Sequence, residues 1–135
     1  MGDKIIFVDT SWLIALNVET DKFYPPASSW WRKNKGVELA TTNAIVWETL
    51  GWMKHKVGLE KMKGLVERLM TGEMRIERIT LFDEKAALKY FKELPGRGVS
   101  MIDCLSMAVM KRLKIKKVLT FDADFEKAGF EIISG

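Results

Sequence analysis

The chain has 135 residues, 47% hydrophobic and 30% charged, a balance that suits one globular domain over residues 1–135 and excludes a disordered chain. No apolar run approaches the ~20 residues of a membrane span, and the single cysteine, Cys104, excludes an internal disulfide framework and matches a cytoplasmic protein. The net charge of +4 is compatible with a polyanionic partner without requiring one.

Taken in order, Lys4 to Val8 is a continuous apolar run ending at Asp9, as expected of a strand buried on both faces of a parallel sheet and not of a secretory signal. Trp12, Leu13, Ala15 and Leu16 recur at helical spacing. Tyr24-Pro25-Pro26 opens a second helix, Gly36 closes it, and Val37 to Ala40 form a short strand. Thr41-Thr42-Asn43 cap a third helix that stops at Gly58. Leu59 to Met70 make a fourth helix, Met74 to Ile79 a strand, and Asp83 to Leu94 a fifth helix ended by Pro95-Gly96-Arg97-Gly98. A nearly all-apolar helix follows from Ser100, then a strand from Lys117 to Phe121, a helical turn after Asp122, and an edge strand from Phe130 to Ile133. Strands alternating with helices predict an α/β fold with a mostly parallel sheet of four to five strands. Ligands of such sheets bind beyond the carboxyl ends of the strands, where Asp9 and Asp122 lie.

Four acids stand out, each with a plain alternative, which for Glu48 is a place at the edge of its helix stripe, reaching water. Asp9 and Asp122 each precede a helical segment as an N-cap does, and Ser100-x-x-Asp103 is a capping box by spacing alone. Glu48 is different: its neighbours three and four away are Ala44, Ile45, Gly51 and Trp52, so it is expected on the inward stripe of its helix with no cation at pairing distance. Four carboxylates converging on one crevice repel one another, and a hard divalent cation, Mg²⁺ or Mn²⁺, relieves that repulsion with oxygen ligands alone. The lone His55 reads as a surface residue, and no phosphate-binding glycine loop or nucleophile–His pair can be assembled.

The order of Val-Asp-Thr-Ser-Trp-Leu-Ile-Ala-Leu (8–16), Glu48 after Thr-Thr-Asn-Ala-Ile-Val-Trp, Asp-Cys-Leu-Ser-Met-Ala-Val (103–109) and Leu-Thr-Phe-Asp-Ala-Asp-Phe (119–125) resembles PIN-domain proteins. Within them it is most similar to the VapC-type toxin ribonucleases of toxin–antitoxin pairs. The resemblance implies a three-layer α/β/α fold and a metal-dependent endoribonuclease leaving 5′-phosphate and 3′-hydroxyl ends. It places Asp9, Glu48, Asp103 and Asp122 on the acidic positions, with Asp124 as alternate for the fourth and Glu48 ligating directly or through water. Ser11 and Thr120 fall on hydroxyl positions that order the acids. A homodimer and an antitoxin protein are implied as partners beside RNA. Lys54, Lys56 and Arg97 are candidate phosphate contacts, against the plain reading of solvated charge. Trp30, Trp31 and Trp52 offer stacking faces, against core, dimer or antitoxin contact. The family also contains RNA-processing nucleases outside toxin–antitoxin systems. From other classes, a receiver-like Mg²⁺-binding domain requires an acid ending the central strand, which neither Val37 to Ala40 nor Met74 to Ile79 has, and a non-catalytic interaction module predicts acids that serve only as caps.

Overall fold

The structure, a computed structural model, describes residues 4–133. Twelve elements alternate as expected: β1 (Ile5–Val8), α1 (Thr10–Asn17), α2 (Tyr24–Lys33), β2 (Glu38–Thr42), α3 (Asn43–Lys56), α4 (Leu59–Met70), β3 (Arg75–Glu77), α5 (Leu81–Glu93), α6 (Met101–Leu113), β4 (Lys117–Leu119), α7 (Asp124–Lys127) and β5 (Glu131–Ile133). The five strands form one sheet in the order β3-β2-β1-β4-β5, and every neighbouring pair is parallel. Successive connections lead from β1 towards β3 and then back across to β4 and β5. With right-handed crossovers, helices α1 to α4 therefore cover one face and α5 to α7 the other. The fold is the α/β arrangement expected, with a five-stranded parallel sheet flanked by helices.

Burial explains why the strands read as apolar runs. Phe7 and Val8 of β1, Leu39 and Ala40 of β2, and Val118 and Leu119 of β4 are all buried, as strands covered on both faces must be. Trp12 anchors the α1 side of this core, edge-on to Trp30 at 5.8 Å and tilted against Trp31 at 6.5 Å. Those two α2 tryptophans thus pack into the fold. A second, smaller core joins Ala87 of α5 to Cys104 and Ala108 of α6, so the lone thiol is a core residue.

Hydroxyl and carboxylate caps start three of the helices. Thr42 accepts from the Ile45 amide at 3.2 Å, and Thr80–Asp83 and Ser100–Asp103 are full capping boxes. The Thr80 box moves the start of α5 to Leu81, two residues ahead of the expected Asp83. Asp83 is then doubly used. Buried at 0% exposure, it also receives Arg112 of α6 in a bidentate pair, Nε at 2.8 Å and the terminal nitrogen at 2.9 Å. Burial alone would raise its pKa, but Arg112 and Thr80 outweigh that and hold it below the ordinary carboxylate range. This pair clamps α5 to α6, the helix that carries Asp103.

Candidate active site

The strand order reverses at β1, whose neighbours are β2 on one side and β4 on the other. A crevice opens at such a switch point beyond the strand ends, and the residues that follow β1 and β4 are Asp9 and Thr120 to Asp122. The two segments are tied directly: the Asp9 amide donates to the Leu119 carbonyl at 3.0 Å.

Asp9 is 3% exposed. It occupies the N-cap position of α1 yet makes no capping bond with its side chain, so the cap alternative fails for it. Its Oδ2 instead accepts from Thr120 Oγ1 at 2.7 Å and Ser11 Oγ at 3.1 Å. Ser11 also receives the Phe121 amide at 3.0 Å, and Thr120 Oγ1 receives the Asp122 amide at 3.0 Å. Two hydroxyls therefore knit the end of β1 to the segment after β4. Phe121 adds packing, its ring stacked on Phe23 at 4.3 Å with 6° between planes.

Burial pushes the Asp9 carboxyl up to about 6, and the Asp103 charge adds to the rise, against the opposing hydrogen bonds of Thr120, Thr10 and Ser11. Asp103 is raised by burial and by the charges of Glu48 and Asp124, with the Ser100 bonds working the other way. Asp122 is raised by burial and by Asp103 and Asp124, while its bond with the Asp124 amide opposes. Acids placed so that each raises another's pKa are held together at a cost that protons or a cation must offset.

Asp103, Asp122 and Asp124 are the tightest group, each offering a carboxylate oxygen within 4.8 Å of the others'. For Asp103 the cap and the cluster coexist: Ser100 N–H donates to its Oδ2 at 3.0 Å and Asp103 N–H to Ser100 Oγ at 3.0 Å. Asp122 closes a local turn, its Oδ1 accepting from the Asp124 amide at 2.9 Å. Asp124 in turn pairs with Lys127 at 3.0 Å. An all-oxygen set of this kind, short of positive charge and lacking imidazole or thiolate, fits a hard divalent cation. The loop at 95–98 runs alongside it. A Cβ added to Gly98 would lie 3.9 Å from Asp124 Oδ2, and one added to Gly96, which has φ +103°, 3.6 Å from Lys127 Nζ.

The inward placement expected for Glu48 is not what the structure shows. The Glu48 side chain is exposed, because the inward stripe of α3 is taken by Ile45, Val46, Thr49 and Met53. It stands at the rim, outside the tight group, where Thr10 Oγ1 donates to its Oε1 at 2.7 Å and where its charge is felt at Asp103. Thr10 is a site residue that sequence reasoning passed over as the mere start of a helix. Its signal was the unbroken polar triplet Asp9-Thr10-Ser11 directly after an apolar strand. Lys54, Lys56 and Arg97 are exposed, as is His55, and neither Lys54, Lys56 nor Arg97 joins the hydrogen bonds of the cluster among the described residues.

Comparison with known proteins agrees with this geometry. A family model described as the PIN domain matches residues 6–131. The 23S rRNA-specific endonuclease VapC20 of Mycobacterium tuberculosis is 29% identical over 126 residues, 93% of this chain and 95% of the relative. A VapC ribonuclease of Aquifex aeolicus is 26% identical over 102 residues, 74% of this chain and 73% of the relative. The crystal structure of M. tuberculosis VapC20, described as a sarcin-ricin loop cleaving toxin, superimposes with a TM-score of 0.84 at 28% identity, covering 93% of this chain and 95% of that one.

Proposed function

The chain belongs to the PIN-domain family, and from that premise we propose that it is a divalent-metal-dependent endoribonuclease, the toxin of a toxin–antitoxin pair. The observation that carries the reading is the meeting of Asp103, Asp122 and Asp124 within 4.8 Å beyond the strand ends, with the Asp9 carboxyl outside that group but near enough to feel the Asp103 charge, and Glu48 at the rim. Asp9, Asp103 and Asp122 would hold Mg²⁺ or Mn²⁺, with Glu48 completing the set directly or through water and Asp124 as the alternate. A cation held there supplies Lewis acidity towards a phosphodiester and offsets charge on the departing oxygen.

The chain's own groups do the positioning. Thr120 and Ser11 fix the Asp9 carboxylate, the capping box fixes the Asp103 rotamer, and the turn at Asp124 fixes Asp122. Their rigidity matters because misplacing a reacting group by about 1 Å can slow a reaction ~100-fold. Lys127 engages Asp124, which favours Asp122 as the fourth ligand. Arg97, in the loop beside the cluster, and Lys54 and Lys56, on the exposed end of α3, would contact phosphates. The toxin assignment and RNA as substrate are supported by the names of the relatives, and a homodimer, an inhibitory antitoxin and a cytoplasmic location go with it. No helix among the described residues is long and apolar enough to cross a membrane.

The experiment is cleavage of single-stranded RNA and of a ribosomal RNA hairpin in Mg²⁺ or Mn²⁺. The wild type should cut, Asp103→Asn should lose at least ~100-fold, and EDTA should abolish cutting. Activity that survives either the substitution or the chelator overturns the mechanism.

A further inference from the structure

Helix α3 continues outward from Glu48 with an exposed stripe that the core does not use. Trp52 lies four residues after Glu48 and Lys56 four after Trp52, so the three share one face. Trp52 is 39% exposed and belongs to neither core cluster among the described residues. Between Glu48 and Trp52 comes Gly51, in the interior of the helix. A Cβ added there would meet nothing within 4 Å, so packing does not require the glycine, and Ala would serve the helix better. A helix glycine with no folding reason, next to the rim acid of a nuclease site, suits close approach by another backbone. The next exposed residues, Lys54, His55 and Lys56, are basic or ionisable, as a polyanion's track requires.

We infer that this stripe is the single-stranded RNA track leading away from the cleavage centre, with Gly51 giving clearance to the sugar–phosphate chain, Trp52 stacking on the base beside the cut bond, and Lys56 holding the next phosphate. The inference rests on the ribonuclease reading and adds Gly51 and Trp52 to the phosphate contacts proposed above, joining them with Lys56 into one track. Trp52 is only about 6 Å along the helix axis from Glu48, so it reaches a nucleotide adjoining the one at the cluster. Stacking reads no base edge, so the track tolerates sequence and requires an unpaired base.

The test is binding of a fluorescein-labelled single-stranded RNA in EDTA, followed by anisotropy, together with steady-state cleavage in Mn²⁺. Trp52→Ala should weaken binding about 5- to 100-fold and raise KM, with Trp52→Phe recovering part of the loss. Gly51→Ala should raise Tm, because alanine favours the helix, and yet weaken RNA binding. Unchanged RNA affinity in both Trp52→Ala and Gly51→Ala, while the wild type cuts and Asp103→Asn does not, overturns the track and leaves the nuclease reading standing. A change in oligomeric mass by light scattering, with RNA affinity unchanged, likewise overturns it and assigns the stripe to a protein contact. A wild type that neither binds nor cuts RNA overturns both.

Discussion

Asp9 shows how much chemistry one buried carboxyl imposes. Folded, it keeps its proton to about pH 6, whereas the ordinary value is 3.8. Between those values the folded chain binds more protons than the unfolded one, so the metal-free protein loses stability as pH rises from about 4 to 6. The loss from Asp9 is on the order of 3 kcal/mol, and Asp103 and Asp122, also raised, add in the same direction. Asp83, held below the ordinary range, contributes stability that is lost only as pH falls below about 4. Mn²⁺ must displace the protons of the cluster, so its stabilising effect should grow over the window in which the apo protein weakens. Thermal melts from pH 4 to 7.5 with and without Mn²⁺ should therefore diverge as pH rises; parallel curves would contradict the site. Much of this chemistry was legible in the chain. Asp9, Asp103 and Asp122 were readable from strand ends and a capping spacing, whereas Ser11 and Thr120 came only with the family resemblance. Glu48 was misjudged because i±3 and i±4 neighbours define a stripe without saying which stripe faces the core, and the partner that holds it, Thr10, lies 38 residues away.

Among the elements, helix starts were readable where a hydroxyl capped them, and strand limits were not. β2 extends to Thr42, and β3 is only Arg75–Glu77, since pairing with neighbours, not local composition, decides where a strand ends. The Asp83–Arg112 clamp was hidden altogether, because its halves are 29 residues apart. Its importance follows from burial: Asp83 is wholly enclosed while Arg112 keeps 28% of its side chain exposed. Arg112→Ala leaves that carboxylate without its partner and should cost about 3 kcal/mol, read as a lower denaturant midpoint at an unchanged slope. Because α6 bears Asp103, the same variant should cut RNA more slowly even where it is fully folded. Activity at the wild-type level in folded Arg112→Ala would separate the clamp from the site.

Across the whole molecule, alternating strands and helices announced the parallel sheet, and the acid-bearing motifs in their order announced the family. The strand order itself was not readable from periodicity, because an apolar run tells that a strand is central without naming its neighbours. That order decides the site: β1 lies between β2 and β4, and only this neighbourhood sets Asp9 beside Thr120. The distribution of charge is likewise a property of the whole. With a net +4 and several acids drawn into one crevice, the remaining surface is more basic than the total suggests, as suits a polyanionic substrate.

The bond between Thr120 and Asp9 spans 111 residues, and the central strand of the sheet is the first to leave the ribosome while its β4 neighbour is among the last. A growing chain thus carries no assembled site: until Lys117 to Leu119 emerge, β1 has one open edge and Asp9 has no Thr120 to hold it. Chains that stop early therefore lack the assembled end of β1. Chains ended just before Lys117 should show neither a cooperative melt nor RNA cleavage, in contrast to the full chain, and residual cleavage by such a fragment would refute this order of assembly.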